Sequence, residues 1–366
     1  MPVRRLGRTG YKVSVLGLGG HTYPVGRGPG CFMTPDDRAK LIHHLVSSGV
    51  NYFDTTFMQE VELLADSLKR ADIKKDTIHI SLQFANGISN AQWRQTLRRE
   101  VEARLDVLGY TYAPLFLMGI MGGEISYANV VEACEAMKRL KEENLIGNIG
   151  LSCHTVSMYP MVSRAIRETD IIDYIMVLFN WKYPQANEEL FVVAEGHDVG
   201  IVAMKIFCWD TEWGRRISVF EPVTYDTHTQ GNQSLTPAQR HLLWCIQNSP
   251  CDVVVPSMNT VREAGENIRA LSSINVQVMT DDFERYSRRL WEKREIRQLA
   301  LHAESRTIRE RAEALLKQKR GLGHILIRTI GAHYKILRDE GFKEYVLRSY
   351  KYRKGQLHGW IKKSKI

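Results

Sequence analysis

Short apolar runs alternate with amphipathic helical patterns along most of this sequence. The runs are continuously apolar, as expected of strands that are buried on both faces of a parallel sheet. Eight such runs can be counted, at 13–20, 51–54, 78–81, 115–118, 149–152, 173–179, 201–205 and 252–256. Eight repeated units predict an α/β fold, and the simplest closed arrangement is a (β/α)8 TIM barrel. A doubly wound open sheet is the alternative, but no run is followed by the GxGxxG sequence of dinucleotide-binding turns.

Helix-start signals support this order of elements. Thr34 and Thr236 each precede a proline, and this pair is typical of a capping residue followed by the first helical position. Asn90 is likewise predicted to cap a long helix that runs to Leu108.

The pattern changes near residue 280. Residues 1–280 contain all eight units and are predicted to form one barrel domain with an N-terminal hairpin. Residues 281–366 are predicted to form a helical, basic C-terminal extension. A polar insertion at about 207–234 would lie over the carboxyl ends of the strands, here called the barrel mouth, as a lid or substrate loop; a surface loop is the alternative.

The positive charge of the chain is concentrated in the extension. The whole chain carries +9, and residues 301–366 hold 17 Lys and Arg against 6 Asp and Glu, a balance of +11 that leaves −2 for the first 300 residues. A near-neutral body argues against a nucleic-acid-binding protein. The basic extension is expected to dock with a solvated cationic face, or else to contact an acidic partner or a membrane surface. The oligomeric state is left open.

Cysteine usage and hydropathy predict a cytoplasmic protein. No apolar run approaches the roughly 20 residues that cross a bilayer, and no apolar signal region follows the first residues. The six cysteines form no CxxC pair, which predicts reduced thiols and no cysteine-based metal site. They are Cys31, Cys134, Cys153, Cys208, Cys245 and Cys251.

Five stretches resemble the aldo-keto reductases in order and spacing. They are the N-terminal hairpin (5–14), the second strand (49–55), the fifth strand (147–152), the seventh strand (201–205) and the loop after the eighth strand with the helix that follows (256–267). The likeness covers about residues 3–272 and is closest to the branch whose members often carry a C-terminal iron–sulfur extension. Residues 281–366 contain no cysteine, so no iron–sulfur cluster is expected.

The resemblance implies a four-residue mechanism. In that family a tyrosine protonates the substrate carbonyl as hydride arrives, a lysine and an aspartate lower the pKa of the tyrosine, and a histidine orients the carbonyl. Only the aspartate is retained, as Asp54. Gln59 stands at the tyrosine position, Gln83 at the lysine position and Gly119 near the histidine position. Because glutamine has no proton of useful pKa, standard carbonyl reduction is not expected.

Four titratable residues near predicted strand ends could carry a different chemistry, since barrel enzymes place their catalytic groups there. They are Asp54, His21, His154 and Lys205. Each has a structural alternative: Asp54 could hold a loop, either histidine could be a structural residue, and Lys205 could be a surface lysine. In a functional role Lys205 could bind an anionic group or pair with Asp54. Glu60 is expected to stabilise the start of a helix rather than to act in catalysis.

The resemblance also implies NADP or NAD as the cofactor. The implied contacts are Gly20, Ser152, Lys205, Ser257, Asn259, Arg262, Glu266 and Asn267. Ser152 matches the residue that contacts the nicotinamide amide, and Arg262 could contact the 2′-phosphate.

Three functions remain open. The first is a repurposed enzyme with an atypical site that acts on a small molecule, and the second is an inactive binding or scaffold protein. The third is a conventional NADP-dependent oxidoreductase with substitute acid residues.

Overall fold

The computed structural model describes residues 1–20, 34–84, 87–120, 125–207, 235–276, 278 and 284–285. All of these except 284–285 belong to one compact unit, which comprises Met1–Trp209 and Phe220–Met279. His21, the insertion beyond Phe207 and almost all of the C-terminal extension lie outside the described residues. The domain boundary at 280 therefore stays a prediction.

An antiparallel hairpin opens the chain, as predicted. Strand β1 (Val3–Arg5) pairs with β2 (Lys12–Ser14), and a short 3-10 turn joins them. Gly7 in this turn has a φ of +44°, and a Cβ at this position would lie 2.0 Å from the Gly200 nitrogen. The turn therefore packs backbone against backbone on the amino end of a barrel strand.

Seven parallel strands follow, paired in sequence order. They are β3 (Tyr52–Thr55), β4 (His79–Phe84), β5 (Ala113–Ile120), β6 (Ile146–Cys153), β7 (Tyr174–Leu178), β8 (Gly200–Met204) and β9 (Val253–Val255). The eighth position is taken by residues 15–18, because Leu16 bridges Val254 and Leu18 bridges Phe53, both in parallel. The sheet thus closes on itself, and the predicted (β/α)8 barrel is confirmed.

Eight helices of the described chain accompany the strands. They are α1 (Pro35–Ser47), α2 (Met58–Arg70), α3 (Trp93–Leu108), α4 (Tyr127–Glu142), α5 (Tyr159–Thr169), α6 (Leu190–Gly196), α7 (Pro237–Gln247) and α8 (Val261–Ala270). The helix starts predicted at Thr34 and Thr236 are confirmed, since each hydroxyl accepts a backbone N–H of the first turn. The cap predicted at Asn90 is wrong: its side chain accepts the Gln92 N–H and forms a turn just before the helix. Among the described helices, none is long and apolar enough to span a bilayer.

Side chains fill the barrel interior and separate its two ends. The inner core comprises Leu6, Val13, Tyr52, Leu115, Leu117, Tyr174, Met176, Val202, Met204, Val253 and Val255. Because successive strand residues alternate between faces, Asp54 points to the same side as Tyr52, one layer closer to the mouth. The same alternation places Gln83, paired with Leu117, on the inside of the barrel.

Asp252, before β9 at the opposite end of the barrel, should make stability depend on pH. Its Oδ2 accepts the Ile201 N–H at 2.8 Å, and burial raises the pKa of Asp252 to about 6. The folded state therefore binds this proton more tightly than the unfolded chain, so the free energy of unfolding should fall as pH rises from about 4 to 6. Urea unfolding at pH 4 and pH 7 should give a decrease of about 2 kcal/mol from this group.

The Asp252→Asn variant should lose this part of the pH dependence, because the amide keeps an acceptor for the Ile201 N–H without a charge. The exposed Asp106→Asn variant is the control and should keep the wild-type slope. Equal slopes in both variants would contradict the assignment.

Candidate active site

Asp54 lies at the barrel mouth, as predicted, where β3 ends. The residue is 8% exposed, and its Oδ2 lies 3.5 Å from the Gly20 nitrogen and 3.5 Å from Thr56 Oγ1. Glu60 is engaged elsewhere: its Oε2 accepts the backbone N–H groups of Thr56 at 2.7 Å and Phe57 at 3.2 Å. It stabilises the start of α2, which is the structural role expected from the sequence.

Gln83 connects three strands at the mouth. Its amide is buried, with Nε2 2.9 Å from Ser152 Oγ and 3.3 Å from His154 Nε2. On the other side, its Oε1 lies 3.4 Å from Thr56 Oγ1. Gln83 is therefore a neutral group that joins the ends of β3, β4 and β6.

His154 and Lys205, which the sequence offered as separate candidates, form a pair. The Lys205 Nζ lies 3.0 Å from His154 Nδ1, and His154 Nε2 lies 3.1 Å from Ser152 Oγ. The imidazole is 5% exposed, whereas Lys205 is partly exposed at the mouth. Because an ammonium group only donates, Nδ1 must accept, and the neutral ring then carries its hydrogen on Nε2.

The backbone of Lys205 is held in an unusual conformation. Its φ is +60°, in the left-handed region that side chains other than glycine adopt at a cost of about 1–2 kcal/mol. The fully buried Asn180 donates from Nδ2 to the Lys205 carbonyl at 3.0 Å. Asn180 Oδ1 also accepts the backbone N–H groups of Lys182 and Tyr183. Asn180 thus supports the turn that carries Lys205. This role could not be predicted, because a lysine in the sequence does not indicate a positive φ.

Gln59 and Gly119, the two other positions that the resemblance singled out, offer no titratable side chain. Gln59 is exposed on the first turn of α2, and Gly119 has no side chain. A Cβ at Gly87 would lie 2.2 Å from the Gly119 oxygen, so the turn after β4 packs directly on the end of β5. The polar side chains around Asp54 and Gln83 therefore come from the ends of β3, β4 and β6 and from the turn after β8.

Cys153, beside His154, is a buried thiol with its Sγ 3.3 Å from the Thr155 carbonyl. Burial raises the pKa of Cys153 to about 12. The thiol therefore stays protonated at neutral pH and is not a nucleophile.

The predicted nucleotide contacts on α8 differ in their exposure and in their hydrogen-bond partners within the protein. The buried Glu266 carboxylate accepts the Thr236 hydroxyl, and this bond ties α8 to the start of α7. Asn267 is 2% exposed, and its side-chain amide makes no hydrogen bond within the described part of the chain. Arg262 is exposed on the first turn of α8 and, among the described residues, pairs with no acid. Of these three residues Arg262 alone is exposed to solvent, Asn267 is buried, and Glu266 is engaged within the protein.

The other predicted contacts lie at the mouth. Ser152 is fully buried, and its Oγ is engaged by Gln83 and His154. Ser257 and Asn259 are partly exposed before α8, and the Asn259 N–H donates to Glu263 Oε2 at 2.6 Å. Gly20 lies beside Asp54, while His21 is outside the described residues.

Comparisons with known proteins agree with this architecture. A sequence model of the aldo/keto reductase family matches residues 15–208. Pyridoxine 4-dehydrogenase of Escherichia coli (strain K12) is 22% identical over 258 residues, which cover 66% of this chain and 85% of that protein.

Two solved structures share the fold at low identity. PA4992 of Pseudomonas aeruginosa superposes with a TM-score of 0.56 at 20% identity, over 75% of this chain and 95% of that one. The holo form of aldo-keto reductase AKR11C1 from Bacillus halodurans gives a TM-score of 0.55 at 17% identity, over 79% and 96%. With more than half of its residues matched by the family model and the barrel closed in the same way, this chain belongs to the aldo/keto reductase family.

Proposed function

We propose that this protein is an NADP(H)- or NAD(H)-dependent oxidoreductase that acts on a small molecule through an atypical proton donor. Lys205 takes the place of the family's tyrosine, and His154 positions it. The observation that carries the proposal is the 3.0 Å contact between Lys205 Nζ and His154 Nδ1 at the barrel mouth.

The geometry suits Lys205 for proton donation. An ammonium has three hydrogens, so one can stay on His154 Nδ1 while another reaches a substrate oxygen. The left-handed backbone of Lys205 supports this role, because strained residues cluster at functional sites. Lys205 is also the partly exposed member of the pair, and His154 is the buried one.

The protein's own residues supply the proton that the substrate oxygen takes up during the reaction. A bound reduced nicotinamide supplies a hydride to a carbonyl carbon. The C–O π pair moves to the oxygen, and Lys205 donates a proton to that oxygen. Lys205 is left as a neutral amine that keeps an N–H on His154 Nδ1 and regains its proton from water. Asp54 contributes negative charge to the same mouth.

The nucleotide would be held at α8. Asn267 offers a buried amide without a partner among the described residues, which suits the hydrogen-bonding edge of adenine. Arg262 lies on the first turn of the same helix, where a charged guanidinium suits a 2′-phosphate. This arrangement favours NADP(H) over NAD(H).

Fluorescence titration with NADPH and NADH should test the nucleotide site. Arg262→Gln should weaken NADPH binding about tenfold or more, because a charge-assisted contact to phosphate is lost, and should change NADH binding little. Arg269→Gln, at the other end of α8, removes the same charge and should leave both affinities unchanged. The proposal fails if neither nucleotide binds, or if Arg262→Gln weakens both equally.

An inactive binding protein is the competing function, and one observation favours it. Gln83, Ser152 and His154 satisfy one another inside the protein. In that case NADPH could bind without any turnover, and Lys205 could be replaced without consequence for the native function.

A further inference from the structure

We infer that Gln83 is a positioning residue that couples Asp54 to Lys205 across the mouth through one directed chain of hydrogen bonds. The coupling itself requires no bound nucleotide, whereas its importance for turnover rests on the proposed function.

The chain begins at the cation. Lys205 donates to His154 Nδ1 at 3.0 Å, so the neutral ring carries a hydrogen on Nε2 that needs an acceptor. Two groups face that nitrogen: Ser152 Oγ at 3.1 Å and the amide of Gln83 at 3.3 Å.

The orientation of the Gln83 amide follows from this tautomer. With Nε2 towards His154, two N–H groups would face each other, which is unfavourable. Turning the amide by 180° exchanges its two polar atoms, so that Oε1 accepts from His154 Nε2 and from the Ser152 hydroxyl. The amide nitrogen then donates towards Thr56 Oγ1, 3.4 Å away.

The last link reaches the carboxylate. Thr56 Oγ1 lies 3.5 Å from Asp54 Oδ2, and its hydroxyl hydrogen is available to the carboxylate once Oγ1 accepts from Gln83. Every donor from Lys205 to Asp54 then meets an acceptor. With the opposite amide orientation the Thr56 hydroxyl would donate to Gln83 Oε1 instead of to Asp54, and Gln83 would present an N–H to His154, so the amide orientation is tied to both ends of the chain.

This arrangement explains why a neutral residue serves at the lysine position. A cation on β4 would stand next to Asp54 directly, whereas Gln83 transmits the influence of the carboxylate to a cation that follows β8. The cation Lys205 therefore lies after β8 rather than on β4, and the hydrogen bonds through Gln83 still connect it to Asp54.

Nitrogen NMR of protein labelled with ¹⁵N-histidine, without nucleotide, tests the chain directly. The His154 signals are assigned by their absence in His154→Asn. In the wild type we expect the Nε2–H tautomer, and Asp54→Asn should shift the His154 Nε2 signal, because the hydrogen bonds that connect Nε2 to the carboxylate weaken while Nδ1 still accepts from Lys205. In a Gln83→Met background, Asp54→Asn should no longer shift this signal.

Thr56→Val removes a different link of the same hydrogen-bond chain and should have the same effect as Gln83→Met. It replaces Gln83→Met in the experiment if that variant does not fold. Thr55→Val is the matched control, since the Thr55 hydroxyl donates to the Ser81 carbonyl outside the chain. The inference is overturned if wild-type His154 carries its hydrogen on Nδ1, or if Asp54→Asn acts equally with and without these breaks. Absence of turnover or nucleotide binding would refute the proposed function alone, because the NMR readout needs neither.

Discussion

Replacing Lys205 by methionine should lower NADPH-dependent turnover of an activated carbonyl, such as an ortho-quinone, by about 100- to 10,000-fold at saturating nucleotide. This is the usual contribution of a positioned general acid. An ortho-quinone accepts hydride with less help from an acid than an ordinary aldehyde does, so turnover stays measurable in the variant, and the fall should lie at the lower end of this range. Stopped-flow loss of NADPH absorbance measures the effect.

Two further variants separate proton donation from electrostatic attraction. Lys205→Arg keeps the charge, but a guanidinium does not release its proton near neutral pH, so turnover should fall nearly as far as in Lys205→Met. Lys182→Met removes a neighbouring lysine, whose Nζ lies 5.2 Å from the centre of the Tyr183 ring, and should retain most of the turnover. Full activity of Lys205→Arg would show that only charge is needed, and unchanged activity of Lys205→Met would refute the donor.

Gly7→Ala should lower the free energy of unfolding by about 3 kcal/mol. Roughly 1 kcal/mol comes from a positive φ that alanine does not favour, and about 2 kcal/mol from overpacking, since the new Cβ would lie 2.0 Å from the Gly200 nitrogen. The three atoms that lie nearest to the new Cβ belong to the backbone of Val199 and Gly200, so no side chain can rotate away. Denaturant unfolding followed by circular dichroism measures the loss.

Gly10→Ala is the matched control for this prediction. Gly10 lies in the same hairpin with a φ of +75°, but a Cβ there would meet nothing within 4 Å. It should lose only about 1 kcal/mol, the part due to φ. Equal losses in the two variants would show that the contact with Gly200 contributes nothing.

Much of the fold could be predicted because local patterns specify it. The continuous apolar runs predicted the strands, and the Thr-Pro pairs predicted two helix starts that the structure confirms. The helix cap predicted at Asn90 is wrong, because an asparagine side chain can accept a backbone N–H in a turn as well as at a helix cap. The placement near the iron–sulfur branch of the family stays a prediction.

The candidate site was predicted less completely. Asp54 and the neutral Gln83 could be assigned from their positions along the chain, and Glu60 was correctly expected to support a helix start. Asn180 and Thr56 were missed, since buried asparagine and threonine side chains near turns are common and do not indicate which backbone or side chain they will contact. Whether any of these residues acts in catalysis stays a prediction.

The sequence by itself determined the strands, the helices, the barrel and the identity of the residues that end each strand. These features depend on hydrophobic periodicity and capping, which act over a few residues. Only the tertiary structure decided that Lys205 meets His154, because β7 lies between β6 and β8 and the contact depends on a left-handed turn supported by Asn180. That contact joins residues 51 positions apart, and its physical cause is the side-by-side packing of β6, β7 and β8, which no local pattern encodes.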